Sequence, residues 1–136
     1  MNKRNRILLI DDDVDDQLYF RDAVIEVNPL IQCKIVSNGR EALQQMEISP
    51  PPDLIFLDLN MPIMNGYEFL SSVKKSTRFS EIPVVILTTS KSHVDIEQSK
   101  RLGASLFFTK PSNFNALVTK LKDVLSLDFP NQLFML

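Results

Sequence analysis

Cysteine is almost missing from this chain of 136 residues: Cys33 stands alone, so no internal disulfide can form. It falls in an apolar segment and is expected as a buried thiol of the core. Histidine is equally scarce, and with His93 alone a histidine-rich metal site within one chain is excluded. Three glycines do not supply the glycine motifs with which dinucleotide-binding and P-loop proteins cradle phosphates. No apolar run nears the ~18 residues of a membrane span, so membrane insertion is not expected. Met1 to Arg6 is basic and leads into Ile7-Leu8-Leu9-Ile10, which imitates the opening of a secretory signal. Three aspartates cut that run off, short of the ~7–15 residues such a signal needs. A cytoplasmic protein is the expectation. Net charge is −2, which offers no general surface for nucleic acid, although a local basic patch stays open. There is no repeat and no linker beyond the turn-like Ser49-Pro50-Pro51-Pro52. The length suits one domain with a single core.

What is present is organised around Asp53-Leu54-Ile55-Phe56-Leu57-Asp58-Leu59-Asn60-Met61-Pro62. Leu54 to Leu57 reads as a strand covered on both faces. Asp58 follows where the strand meets its loop. A carboxylate resists burial, so it belongs at a mouth at the carboxyl ends of parallel strands, where open α/β sheets hold ligands. Alone, beside Asn and Pro, it would sooner be read as a strand cap or the start of a turn. Other strands, however, end in the same way.

Ile7 to Ile10 reads as a first strand, followed by Asp11, Asp12 and Asp13. A helix opens near Val14, with Asp15 and Asp16 complementing its dipole. Leu18, Phe20, Ala23, Val24 and Val27 form its apolar face, and Asn28-Pro29 stops it. Ile31 to Val36 is expected as a strand and Arg40 to Ile48 as a helix with Ala42, Leu43 and Met46 inward. After the central strand, a helix is expected over Tyr67 to Lys75 and a strand over Val84 to Leu87, ending on Thr88-Thr89-Ser90. His93 to Leu102 is the next helix, with Gly103 as its terminating residue. Ser105 to Phe108 is a fifth strand ending in Thr109-Lys110-Pro111. Phe114, Leu117, Val118, Leu121 and Leu125 then recur at helical spacing. Strict strand–helix alternation predicts a parallel sheet with helices on both faces and right-handed crossovers.

In such a sheet the carboxyl ends of the strands share one edge. That edge would collect Asp11, Asp12, Asp13, Asp58, Thr88 and Lys110. Clustered carboxylates call for a cation, and hard oxygen ligands suit Mg²⁺. Lys110 adds a charge that binds phosphate, and Thr88 a hydroxyl donor. An aspartate, a divalent ion, a lysine and a hydroxyl make a phosphoryl-transfer site with the aspartate as nucleophile. Each residue alone has an ordinary reading; their placement together does not.

These motifs, Ile7 to Asp12, Asp53 to Gly66, Pro83 to Thr88 and Gly103 to Pro111, resemble the receiver domain of two-component response regulators of the chemotaxis-regulator type. The resemblance spans about residues 6 to 126. It implies a flavodoxin-like (βα)5 fold with strand order 2-1-3-4-5, a receiver domain over 1–128 and a short apolar tail over 129–136. It implies Asp58 as phosphoacceptor, Asp12 and Asp11 as Mg²⁺ ligands, and Asn60 as a ligand through its backbone carbonyl. Thr88 would bond the attached phosphoryl group, and Lys110 its oxygens. The Lys110–Pro111 bond would be cis. Phe107 would be the switch aromatic, without the hydroxyl of a tyrosine. Asn60 and Ser90 would tune phosphoryl lifetime. The Asp-rich opening and the Asn60-Met61-Pro62 loop are similar to single-domain regulators that serve phytochrome-type and hybrid kinases.

The resemblance further implies a sensor histidine kinase or phosphotransfer protein as donor, a downstream protein target, and slow autodephosphorylation. No output domain is expected after the last helix. The tail, Phe129 to Leu136, is apolar enough either to pack on its own domain or to make a homodimer or partner contact, alone or through the face of helix four, strand five and helix five.

Three other readings are weaker. A phosphatase of the haloacid-dehalogenase kind would use Asp11 and Asp13, but Asp15 stands where that family wants Thr or Val, and no late acidic pair occurs near residues 110–115. A calcium loop starting at Asp11 would need Gly and Glu where Asp16 and Asp22 stand. A pseudo-receiver that binds without phosphorylation would be expected to lack some of the matched residues, and all are present.

Overall fold

The computed structural model describes residues 5–129 and Phe134. Among these residues five strands alternate with five helices. They are β1 (Arg6–Ile10), α1 (Val14–Val27), β2 (Gln32–Val36), α2 (Gly39–Ile48), β3 (Leu54–Leu57), α3 (Gly66–Lys75), β4 (Val84–Thr88), α4 (His93–Arg101), β5 (Leu106–Thr109) and α5 (Phe114–Leu125). All strand pairings are parallel, and the order is β2-β1-β3-β4-β5, as expected. No helix of the described residues is long and apolar enough to cross a membrane.

Side-chain alternation along each strand splits the core into two layers. Leu8, Ile10, Ile55, Leu57, Val84, Ile86 and Phe107 pack with residues of α2 and α3 on one face. Ile7, Leu9, Leu54, Phe56, Val85, Leu87 and Phe108 pack with α1 and α5 on the other. Because both faces are covered, β3 and β4 are buried along their whole length, which is why their sequences run apolar without alternation. The ring of Phe20 meets Phe56 edge-on at 4.9 Å and fixes α1 to the central strand.

Each helix opens on a short polar residue. Asp13, Asn38, Asn65, Ser92 and Asn113 accept backbone N–H groups from Asp16, Glu41, Glu68, Val94 and Ala116 respectively. These caps start α1, α2, α4 and α5 within five residues of a strand end, while eight residues separate β3 from α3. Gly103 has φ 101, the left-handed conformation expected of the residue after α4.

Two expectations need correction. Leu18 is 51% exposed and does not belong to the buried face of α1. At 3.6 residues per turn it lies nearly opposite Phe20, Ala23 and Val24, so five apolar residues could not share one stripe. The Lys110–Pro111 peptide is trans, as is every peptide bond in the described residues. The trans form is the intrinsically favoured one even before proline.

Candidate functional site

Register brings the acidic residues together. Ile10 pairs with Leu57 across β1 and β3, so Asp11 and Asp58 leave the sheet side by side. The Asp58 N–H donates to the Ile10 carbonyl at 3.0 Å, and the Asp11 N–H donates to Val36 at 3.0 Å. β1 and β3 are the strands at which the order reverses, and a crevice opens there. On the far side Thr88 pairs with Thr109, so Lys110 follows directly, its N–H bonded to the Thr88 carbonyl at 2.7 Å.

Lys110 reaches back over the crevice. Its Nζ lies 2.8 Å from Asp11 Oδ2, 2.6 Å from Asp16 Oδ2 and 3.3 Å from Asp58 Oδ2. Asp58 is 7% exposed, and its other carboxylate oxygen accepts the Leu59 N–H at 2.8 Å. Asp11 is 1% exposed. Burial raises its pKa above the ordinary carboxylate value, against the pull of the Lys110 ammonium. Burial works against the Lys110 ammonium too, yet the three carboxylates around it hold its pKa above the ordinary value and keep it protonated.

The sequence offers Asp16 only as a dipole partner of α1. It is in fact a member of the cluster, brought in because Asp13 caps the helix and turns residue 16 toward β1. Gln17 is a second member that the sequence does not single out. Its Nε2 donates to the Asp11 carbonyl at 2.6 Å, while Asp11 Oδ1 accepts the Asp13 N–H at 3.0 Å. No motif in the sequence marks these two. The only signal is that they lie one turn past the aspartates.

Asp11, Asp12 and Asp58 each offer a carboxylate oxygen, all within 4.8 Å of one another. That is a hard oxygen donor set of the kind divalent ions of the Mg²⁺ class take. Asn60 is exposed at the mouth. Gly66 closes the loop behind it, since its N–H bonds the Leu59 carbonyl at 3.0 Å. A Cβ on Gly66 would fall 2.4 Å from the Asp58 carbonyl oxygen, so α3 can begin there only without a side chain. Ile63 in the same loop sits at φ 68, a strained position for a β-branched residue.

Thr88 is fully buried, and Ser90, half-buried, donates its N–H to Thr88 Oγ1 at 3.4 Å. Phe107 is buried among Val84, Ile86 and Ala104. Of the tail, Phe129 packs on the α1–α5 layer and the Phe134 ring lies 6.1 Å from the Phe107 ring, tilted 42°. These two contacts are with the chain's own domain. The remaining tail residues, on which a dimer contact would also depend, lie outside the described ones.

A family model described as the response regulator receiver domain matches residues 7–122. The response regulator Rcp1 of Synechocystis sp. is 35% identical over 117 residues, covering 82% of this chain and 80% of that one. Among solved structures, the phosphorylated cyanobacterial phytochrome response regulator RcpA superposes with a TM-score of 0.82 at 31% identity, over 89% of this chain and 91% of that chain. A Mn²⁺-bound form of response regulator Rcp1 gives a TM-score of 0.76 at 31% identity, over 93% and 96%. Other relatives are longer: the chain spans 50% of a stress response regulator of Meyerozyma guilliermondii, at 27% identity over 109 residues.

Proposed function

The chain belongs to the response regulator receiver domain family of two-component signalling, and from that premise we propose that Asp58 is its phosphoacceptor. The observation that carries this reading is the position of Lys110, whose ammonium bridges Asp58 to Asp11 and Asp16 at the open end of the sheet. A carboxylate held at a strand end, shallowly buried and next to a fixed cation, is a nucleophile placed where phosphoryl oxygens can be neutralised.

The donor is a phosphohistidine on a sensor kinase or a phosphotransfer protein. An Asp58 carboxylate oxygen attacks the phosphorus, the P–N bond breaks, and its electron pair returns to the imidazole. The product is an acyl phosphate. Lys110 shifts from bare carboxylates to the phosphoryl oxygens, and the Thr88 hydroxyl donates to another of them. Mg²⁺, held by Asp11, Asp12, Asp58 and the Asn60 carbonyl, would supply further charge compensation. The Mn²⁺-bound form of Rcp1, a relative of the same fold, also supports a divalent ion. Hydrolysis of the acyl phosphate by water, with Asn60 and Ser90 at the rim, resets the domain. The phosphorylated form differs at α4, β5 and α5, where a downstream protein reads it.

Incubation with acetyl phosphate, followed by intact mass measurement, tests the reading. A gain of one phosphoryl group that requires Mg²⁺ is expected. No gain under any condition would leave phosphorylation-independent binding as the better reading.

The donor's docking face is expected on α1. Val14 is 64% exposed and Leu18 51% exposed, apolar residues standing beside the acidic mouth with little intramolecular cover. With a kinase or phosphotransfer protein that labels the unmodified chain, Leu18→Asp should slow transfer at least about tenfold, as loss of a central apolar contact does. Labelling by acetyl phosphate, which needs no docking, should stay within about twofold of the unmodified chain. Equal losses with both donors would show damage to the site instead.

A further inference from the structure

Every polar atom of Ser90 is engaged. Its N–H donates to Thr88 Oγ1 at 3.4 Å, its carbonyl accepts the Thr109 hydroxyl at 3.2 Å, and its Oγ accepts the Ser92 N–H at 3.1 Å. The same hydroxyl donates to Asp95 Oδ2 at 2.5 Å. Ser90 therefore joins β4, β5 and the start of α4 within two residues of Thr88.

Asp95 is the anchor of that knot. Ser92 caps α4, and the Ser-x-x-Asp spacing would ordinarily turn the Asp95 carboxylate back to the Ser92 N–H as a capping box. It does not do so here. The Ser92 N–H goes to Ser90, and the carboxylate faces away from the cap. One oxygen accepts the Ser90 hydroxyl and the other accepts the hydroxyl of Tyr67, from α3. Burial and the adjacent Asp95 charge push the Tyr67 hydroxyl well above its ordinary pKa, so it remains a donor. Three elements, α3, α4 and the β4–α4 loop, thus meet on one carboxylate.

Building on the phosphoacceptor reading of Asp58, we propose that Asp95 is a positioning residue that clamps the β4–α4 loop, and Thr88 with it, in the unphosphorylated arrangement. Thr88 lies buried under Ser90, and a hydroxyl that is to meet a phosphoryl group on Asp58 must be drawn toward the crevice. The loop cannot follow while Ser90 is held to Asp95 and Asp95 to Tyr67. The clamp sets the free-energy difference between resting and phosphoryl-competent states, and weakening it favours the second.

The test compares the full chain with Tyr67→Phe, Asp95→Ala and the double variant, by acetyl phosphate labelling with Mg²⁺ and by amide NMR spectra. Labelling should quicken about threefold in Tyr67→Phe and about tenfold in Asp95→Ala, and the double variant should match Asp95→Ala because that change already removes the Tyr67 bond. Without phosphorylation, the Thr88 and Ser90 amide signals of Tyr67→Phe should move part of the way toward their positions in the phosphorylated unmodified chain. Tyr67→Phe removes one hydroxyl and keeps the ring packed, so it decides the matter if Asp95→Ala fails to fold. Labelling of Tyr67→Phe within about 1.5-fold of the unmodified chain, or slower than it, overturns the clamp while leaving the phosphoacceptor reading intact. If the unmodified chain itself takes no phosphoryl group, both fall.

Discussion

Asp58→Asn should take up no phosphoryl group from acetyl phosphate under conditions that label the unmodified chain, a loss of at least about a thousandfold in rate, as expected when a covalent nucleophile is removed. The substitution is close to isosteric. Its carbonyl oxygen can still accept the Leu59 N–H that Asp58 accepts at 2.8 Å. Lys110 keeps Asp11 at 2.8 Å and Asp16 at 2.6 Å, so the ammonium is not left unpaired. The fold should therefore persist, with unfolding midpoints close to those of the unmodified chain. The loss would then belong to chemistry: an amide oxygen carries no negative charge to attack phosphorus. Asp12 is exposed nearby and is the residue on which stray labelling would fall. Peptide mapping that found a phosphoryl group elsewhere, at an undiminished rate, would refute Asp58 as acceptor.

Lys110→Met should strongly destabilise the metal-free protein, and its cost should depend on pH. Asp11 is nearly inaccessible, and Lys110 is its closest cation. Removing one partner of a buried ion pair commonly costs about 3 kcal/mol, because the charge left behind stays buried. The direction of the pH dependence follows from Asp11. Its folded-state pKa lies above the ordinary carboxylate value, so the folded state binds this proton more tightly than the unfolded chain. That contribution to stability is fully present below the ordinary value and is lost as pH rises through the raised one. Lys110 holds the raised value down; Met does not. The window of loss should widen upward in Lys110→Met, leaving the variant least stable relative to the unmodified chain near neutrality. The gap should narrow as acid protonates Asp11. Urea unfolding across the acidic range, with chelator present, measures this. A gap that grew on acidification would overturn the assignment. Labelling of the folded variant should also slow by about a hundredfold, as loss of one preorganised cation at a reacting centre does.

The fold was legible because it rests on a repeated local contrast. Apolar runs such as Leu54 to Leu57 are cut by Asp58, and strand and helix patterns alternate strictly along the chain. Every bounded element of the sequence reading ends within one residue of the observed one. Asp11, Asp12, Asp58 and Lys110 could be grouped before any geometry was known, since parallel strands send their carboxyl ends to one edge; the Thr88 hydroxyl, grouped with them, is instead buried and meets the Ser90 N–H. Asp16 could not, because its membership depends on the rotation of α1 about its axis, which Asp13 sets. Leu18 failed for the same reason in reverse: composition suggested a wide apolar face, and the rotation of α1 put it outside. The diversion of Asp95 was hidden altogether. The local pattern around Ser92 favoured a capping box, and only packing of α3 against α4 offers Tyr67 as a competing donor.

Cys33, partly buried against the α1–α5 layer, has a practical side. Desolvation pushes its pKa up to about 11, so near neutral pH roughly one in ten thousand molecules presents a thiolate there. The chain has no other thiol. It is close to silent toward maleimides and iodoacetamides as it stands, and a cysteine introduced on its surface would take a dye almost alone. Half-buried Phe134, at the edge of that surface with its ring 6.1 Å from that of Phe107, is a place for one that would report on the core. An environment-sensitive fluorophore attached through Phe134→Cys would turn the state of a buried aromatic into a colour that can be followed in real time.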